Sequence, residues 1–217
     1  MSATAQGFAG RSLGEIATSL PGATAVFRRH KLDFCCGGAA TLAEAATPDR
    51  LPGIEAELHA LGAPAAAAPQ DSAALIAHIL ERYHAVHRRE VPELIRLARR
   101  VEAVHREHPA APLGLADLLG RVEFEMDGHM QKEEQALFPM ILSGHPNLAM
   151  PIEIMRDDHD DHGARLREMD ALTHGHTPPE DACNSWRALY AGTRKLADDL
   201  MEHIHLENNV LFPRHGG

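Results

Sequence analysis

Beyond residue 70, apolar positions recur at helical spacing. Leu75, Ile76, Ile79, Leu80 and Tyr83 mark one face of a first helix, and the same three-and-four rhythm continues with little β-branched alternation. With the start and stop signals it predicts four helices, over 72–107, 114–142, 151–173 and 180–210. Asp71 and Ser72 are cap candidates for the first. Pro151 suits the opening of the third, and Pro178 and Pro179 that of the fourth. Pro139 and Pro213 stop or kink the second and fourth near their ends. Four helices with short connections predict an all-α fold, an antiparallel four-helix bundle over residues 71–217.

The first 62 residues carry a different pattern. Ser12 with Glu15, and Thr41 with Glu44, have capping-box spacing. Pro52 suits the first turn of another helix, ending near Gly62. Between these signals lies the loop sequence LDFCCGG. The expectation is a small helical domain over 1–62, of about four short helices, whose thin core leans on a partner. The Pro/Ala-rich stretch APAAAAPQ, residues 63–70, reads as a linker.

Composition narrows the function classes. With 21 basic and 31 acidic residues the net charge is −10, which argues against a nucleic-acid footprint. No stretch approaches the roughly 20 apolar residues of a membrane span, and the N-terminus lacks the apolar core of a signal peptide. A cytoplasmic location is the expectation. Three cysteines, two of them adjacent, make a poor disulfide framework and fit a reducing compartment. Cys35 and Cys36 cannot pair across an ordinary trans peptide. They read either as a thiolate handle on a glycine-flanked loop or as small packing residues, and Cys183 reads as packing.

The 16 histidines change the picture by their positions. HMQKEEQALFP at 129–139 and HIHLENNVLFP at 203–213 share the pattern H-x-x-x-E-x-x-x-L-F-P, 74 residues apart. Spacing of four puts His129 with Glu133, and His203 with Glu207, on one helix face. Val122, Met126, Leu137 and Met140 continue the first stripe, and Leu196, Leu200, Val210 and Leu211 the second, so both pairs lie on faces that should be buried. An unpaired ionised carboxylate there would cost several kcal/mol. The other two helices each carry H-x-x-H, His84 with His87 and His159 with His162. The bundle thus sends a histidine inward from every helix and a glutamate from two. That predicts a dinuclear metal site with glutamate bridges, suited to iron or manganese rather than to a thiolate-seeking metal. Spacing leaves open which histidine of each H-x-x-H is the ligand. Glu125 and Asp199, one turn before His129 and His203, are candidates to hold the outer ring nitrogens.

These segments resemble the hemerythrin-like His/Glu cation-binding domains. Together with LDFCCGG, the layout over about residues 10–214 is similar to the iron–sulfur cluster repair di-iron proteins of the RIC, or YtfE/ScdA, type. The resemblance implies a di-iron centre, two irons per chain, oxo- and carboxylate-bridged, held by His84, His129, Glu133, His159, His203 and Glu207. It implies the first histidine of each H-x-x-H, leaving out His87 and His162, and His105 lies about 30 Å along a continuous helix from His84. It implies repair of iron–sulfur proteins damaged by nitrosative or oxidative stress, by donating iron, with Cys35 and Cys36 in delivery or redox. The alternative it carries is a sensor that binds NO or O2, or an NO-reducing enzyme. Whether the chain is an enzyme, and whether it is a homodimer, are open at this stage.

Overall fold

The computed structural model describes residues 7–61 and 71–216. The expected linker at 63–70, and the predicted helix end at Gly62, lie outside the described residues. All regular structure among the described residues is helical, apart from an isolated bridge between Ser12 and Thr41.

The N-terminal module has four short helices: α1 (Leu13–Ser19), α2 (Ala23–Arg29), α3 (Leu42–Ala45) and α4 (Leu51–Ala60). Thr41 and Glu44 close a full capping box on α3. At α1 the box is one-sided: Ser12 accepts from the Glu15 N–H, while the Glu15 carboxylate accepts from Arg11 instead. Leu13, Ile16, Val26, Phe27, Phe34, Leu42, Ile54 and Leu58 form its core.

The bundle follows as four rods. The first comprises α5 (Ser72–Ile79), a π turn at Leu80–His84, and α6 (Ala85–Val104). The second comprises α7 (Leu115–Lys132), a π turn at Glu133–Leu137, and α8 (Phe138–Leu142). The third is α9 (Ala149–Leu172), unbroken. The fourth comprises α10 (Asn184–His205), a π turn at Leu206–Leu211, and a short 3-10 turn at Phe212–His215. Asp71 caps the first rod through the Ala74 N–H. The fourth starts later than Pro178 and Pro179 suggest, because the Ala182 N–H turns back to the Pro179 carbonyl and Cys183 becomes the cap.

Two apolar clusters reveal the directions of the rods. One contains Leu75, Ile79, Phe138, Ile152 and Leu211; the other contains Val91, Leu118, Met169, Trp186 and Tyr190. The first and third rods run from the former cluster to the latter, and the second and fourth run the opposite way. The bundle is therefore antiparallel. α6 packs on α7 and α10, and α9 packs on the same two, which closes the ring. Between the clusters, every rod contributes buried polar side chains, and the site lies in that layer.

Candidate metal centre

His84, His129, Glu133, His159, His203 and Glu207 are between 0% and 2% exposed. They converge on one another. The Nε2 atoms of His84 and His203 are 3.1 Å apart, and so are those of His129 and His159. Glu133 Oε2 lies 3.3 Å from His84 Nε2 and 3.4 Å from His129 Nε2. Glu207 Oε1 lies 3.0 Å from His203 Nε2, and its Oε2 3.1 Å from His159 Nε2. Each glutamate therefore sits between the two histidine pairs. His84, Glu133, His203 and Glu207 form one group with ligand atoms all within 4.8 Å of each other; His129, Glu133, His159 and Glu207 form another.

Three outer ring nitrogens are held by acceptors from neighbouring rods. His84 Nδ1 donates to Glu134 at 2.8 Å, His129 Nδ1 to Asp158 at 3.1 Å, and His159 Nδ1 to Asn208 at 2.9 Å. A proton on Nδ1 leaves the Nε2 lone pair facing the centre, the tautomer a metal requires. The fourth ring, His203, stacks on Tyr83 with centroids 5.3 Å apart. Each of these four partners is the sequence neighbour of a centre residue on a different rod. Glu125 and Asp199 do not touch the rings. Glu125 accepts from Arg165 at 2.9 Å, and Asp199 from Arg82 at 2.7 Å and Lys195 at 2.8 Å. Glu125 turns to a guanidinium on the third rod, and Asp199 to a guanidinium on the first rod and to an ammonium one turn back on its own rod.

Electrostatics agree with a centre built for a cation. Burial pushes the Glu133 carboxyl well above the usual range, and the neighbouring Glu207 charge adds to it. Burial also works to raise Glu207, but His203 and His159 outweigh it and hold that carboxyl well below its ordinary value. Burial lowers His84 and His129 to about 4, the nearby imidazole of His203 adding to the first shift. Both oxygens of Glu133 and Oε2 of Glu207 lack a hydrogen-bond partner despite full burial. Such a set is costly when empty, because nothing compensates for the lost hydration of the carboxylates. Metal cations supply that compensation, and the imidazole and carboxylate donors fit them.

Sequence reasoning missed Glu134, Asp158, Asn208 and Tyr83. It also placed Cys183 in packing. That side chain is exposed, with Sγ 3.1 Å from His105 Nε2. Cys35 is buried and Cys36 half-buried, their sulfurs 3.8 Å apart. Cys36 Sγ lies 3.3 Å from the carbonyl oxygen of His159. Asp33, Cys35 and Cys36 also form a close group of metal-competent donors.

A model of the hemerythrin HHE cation binding domain matches residues 75–214. ScdA_N, described as a domain of unknown function, matches residues 9–61. The chain is 49% identical over 211 residues to the iron-sulfur cluster repair protein YtfE of Dickeya chrysanthemi (strain Ech1591), covering 94% of this chain and 96% of that one. It is 49% identical over 208 residues to the protein of that name from Escherichia coli O157:H7, covering 93% and 94%. To that of Yersinia pseudotuberculosis serotype IB (strain PB1/+) it is 48% identical over 211 residues, covering 94% and 96%. With both domains matched in this order and near-complete coverage of these relatives, the chain belongs to the hemerythrin HHE cation-binding family and, within it, to the YtfE group.

Proposed function

We propose that this protein repairs damaged iron–sulfur proteins by donating iron from a pair of metal sites in the bundle. The observation that carries the reading is the sharing of Glu133 and Glu207 by both four-residue donor groups. In this reading His84 and His203 would hold one iron and His129 and His159 the other, with Glu133 and Glu207 available to both. Iron bound there supplies redox-active, exchangeable metal. The chain contributes the rest. Glu134, Asp158 and Asn208 hold three rings in the binding tautomer. Glu133 gives up its proton when cations arrive, since its raised value reflects burial next to Glu207. Imidazoles and carboxylates hold Fe(II) without the thiolates that would select softer metals, which suits cargo meant to leave.

Cys35 and Cys36 are the proposed delivery handle. They lie on the module that docks against the fourth rod, and Cys36 reaches the backbone of His159. Damaged iron–sulfur proteins are the proposed clients. No helix among the described residues is long and apolar enough to cross a membrane.

The test is metal analysis with Mössbauer spectroscopy on protein loaded without oxygen, followed by mixing with an enzyme whose cluster has been damaged by nitric oxide. Two magnetically coupled irons per chain, and recovery of the client with loss of iron from this protein, are the expected results. A single uncoupled iron would overturn the paired site, and recovery without iron loss would overturn donation.

A further inference from the structure

The seam between the N-terminal module and the bundle holds a cleft of about 630 Å³, and none of the six centre residues lines it. Cys35 and Cys36 line it from the module, Arg156 and Asp160 from the third rod, and Asn208 and Asn209 from the fourth. Both asparagines are committed, Asn208 to His159 and the Cys35 carbonyl, Asn209 to the Phe34 carbonyl. Arg156 is not. Its Nε is buried without a hydrogen-bond partner, and its guanidinium, which stays protonated and can only donate, makes no ion pair among the described residues. One turn along the same face, exposed Asp160 has no cation within ion-pair distance among the described residues. The other carboxylate of the cleft, Glu15, is taken by Arg11 at 2.8 Å. The cleft therefore offers one spare cation, one spare carboxylate and a pair of thiols.

The two thiols are not equal. Cys35 is 3% exposed, and its hydrogen bond with Cys36, together with burial, pushes the thiol well up, which keeps it protonated and unreactive. Cys36 is half-buried and lines the cleft. The two sulfurs are 3.8 Å apart but belong to adjacent residues, which an ordinary trans peptide keeps from closing an unstrained disulfide. The third cysteine, Cys183, lies beside His105 at the start of the fourth rod. Once oxidised, Cys36 has no thiol of its own chain to restore it. Recovery needs a thiol from outside, and the cleft is the place from which one reaches Cys36.

We propose that the cleft binds a small zwitterionic thiol or its disulfide, with a carboxylate on Arg156, an ammonium on Asp160 and the sulfur at Cys36, and that Cys36 is reversibly capped there. The Cys36 sulfur attacks one sulfur of the bound disulfide. A sulfur–sulfur bond forms to Cys36, the bond within the ligand breaks, and the departing half leaves as a thiol with the proton of Cys36. A second small thiol reverses the step: it attacks the ligand's sulfur, forms the free disulfide and returns Cys36 as a thiol. The cap shields Cys36 from the sulfinic and sulfonic acids, which small thiols do not reverse. A further consequence rests on the reading of the pair as the delivery handle: capping halts delivery until thiol again outweighs disulfide.

The test mixes full-length, iron-loaded protein anaerobically with glutathione disulfide, with cystine, or with hydroxyethyl disulfide, which carries no ionic group. Capping at each cysteine is followed by peptide mass spectrometry, and each rate is divided by that of the same disulfide with a free model thiol. Glutathione disulfide and cystine present the same amino-acid group at different reach from sulfur, so the one that saturates at lower concentration identifies the fitting ligand. Capping should fall on Cys36, saturate with that disulfide, and run about tenfold faster than with hydroxyethyl disulfide, the effect of a hydrogen bond to a charged group. Arg156→Gln and Asp160→Asn should each remove most of that preference, Arg156→Lys should restore part of it, and iron content should match the parent in all three. Excess glutathione should return Cys36 to the free thiol.

Equal normalised rates for the charged and uncharged disulfides would overturn the proposal. So would capping mainly at Cys35 or Cys183, or a preference that survives all three substitutions. Capping as expected, in a protein that still restores a damaged client as fast as the uncapped one, would instead remove the delivery reading and leave the thiol site of the cleft standing.

Discussion

Glu133 shows what a single residue contributes. Its carboxyl is fully buried, lacks hydrogen-bond partners and keeps its proton well above the normal range. Glu133→Leu should therefore abolish binding of at least one metal while making the metal-free protein more stable to urea, because a desolvated carboxyl is replaced by an apolar side chain. Glu125→Gln should leave metal content unchanged, since Glu125 serves Arg165. Glu134→Leu, which frees the His84 ring, should weaken binding on the order of tenfold; a metal titration of the three variants checks the order. The histidines set the pH response. Burial, with neighbouring imidazoles, takes His84 and His129 to about 4 and His162 to about 3, from an ordinary 6.5. Each of these rings takes up its proton first in the unfolded chain, so each favours unfolding as pH falls from 6.5 towards these values and contributes no pH dependence above 6.5. Glu133 acts oppositely, adding stability as pH falls through its raised value. Three rings outweigh one carboxyl, so the urea midpoint of metal-free protein should drop steeply between pH 6.5 and 4. Unperturbed imidazoles would lose metal between about pH 7 and pH 5. With His84 and His129 protonating near 4, metal content should persist to about pH 5 and collapse below it. Half-loss at about pH 6 or above would show that protons compete at other groups.

At the scale of elements, the repeated LFP acquires a cause. In a regular α turn the Pro139 ring would strike the carbonyl of Gln135, and it has no N–H to offer. The turn widens instead: the Phe138 N–H reaches back five residues to the Glu133 carbonyl. The second copy repeats this, with the Phe212 N–H on the Glu207 carbonyl ahead of Pro213. A π turn thus begins at Glu133 and spans Glu207, and a third ends at His84. Such turns recur at functional sites because an extra residue per turn re-aims the side chains around it. Pro139→Ala should let the turn tighten towards regular α geometry and swing Glu133 away. Helix content by circular dichroism should be kept while metal affinity falls on the order of tenfold; unchanged affinity would mean that packing alone holds the wide turn. The extent of the helices and the inward faces of His129 with Glu133 and of His203 with Glu207 were legible because spacing of four is an α-helical property, and α geometry persists up to each glutamate. The partners of the outer nitrogens were not. Glu125 and Asp199 are the correct distance along a single helix, but the Nδ1 atoms point across to other rods, where Glu134, Asp158 and Asn208 stand. No one-helix periodicity encodes that crossing, although the position of these residues beside Glu133, His159 and Glu207 in the sequence is a signal that could have been used.

For the molecule as a whole, the contact between module and bundle decides how independent the two are. Asn208 links them: its Oδ1 accepts from His159 Nδ1, and its Nδ2 donates to the Cys35 carbonyl at 3.1 Å. Asn209 donates to the Phe34 carbonyl at 3.2 Å, in a space so close that a Cβ on Gly38 would lie 2.9 Å from its Oδ1. Arg28 pairs with Glu202 at 2.9 Å and Lys31 with Asp170 at 2.8 Å around this contact. Among the described residues, both apolar clusters of the bundle are built from residues after 71, except that Cys35 of the module joins one of them and half-buried Cys36 packs against it. A chain beginning near residue 71 should therefore keep its helical circular dichroism, losing mainly the burial around Cys35 and Met201. All six centre residues remain in it, so it should still bind metal. Without the Cys35 carbonyl, however, Asn208 is free to turn away from His159, and affinity should fall on the order of tenfold, as when a group supporting a ligand is lost. Gly38→Ala in the full chain should reproduce part of that loss by prying the loop from Asn209, with little change in thermal unfolding of the bundle. Cys35→Ser with Cys36→Ser should behave differently, retaining full metal affinity because the backbone contact survives, yet failing to restore a damaged client if the thiols deliver the iron, since serine is a far poorer ligand and nucleophile than a thiolate. Parallel metal titrations and client-recovery assays on these three proteins separate the two roles of the module. Equal affinity in the truncated and full-length chains would show that the module does not brace the centre, and recovery by the double-serine protein would show that the thiols do not carry the iron.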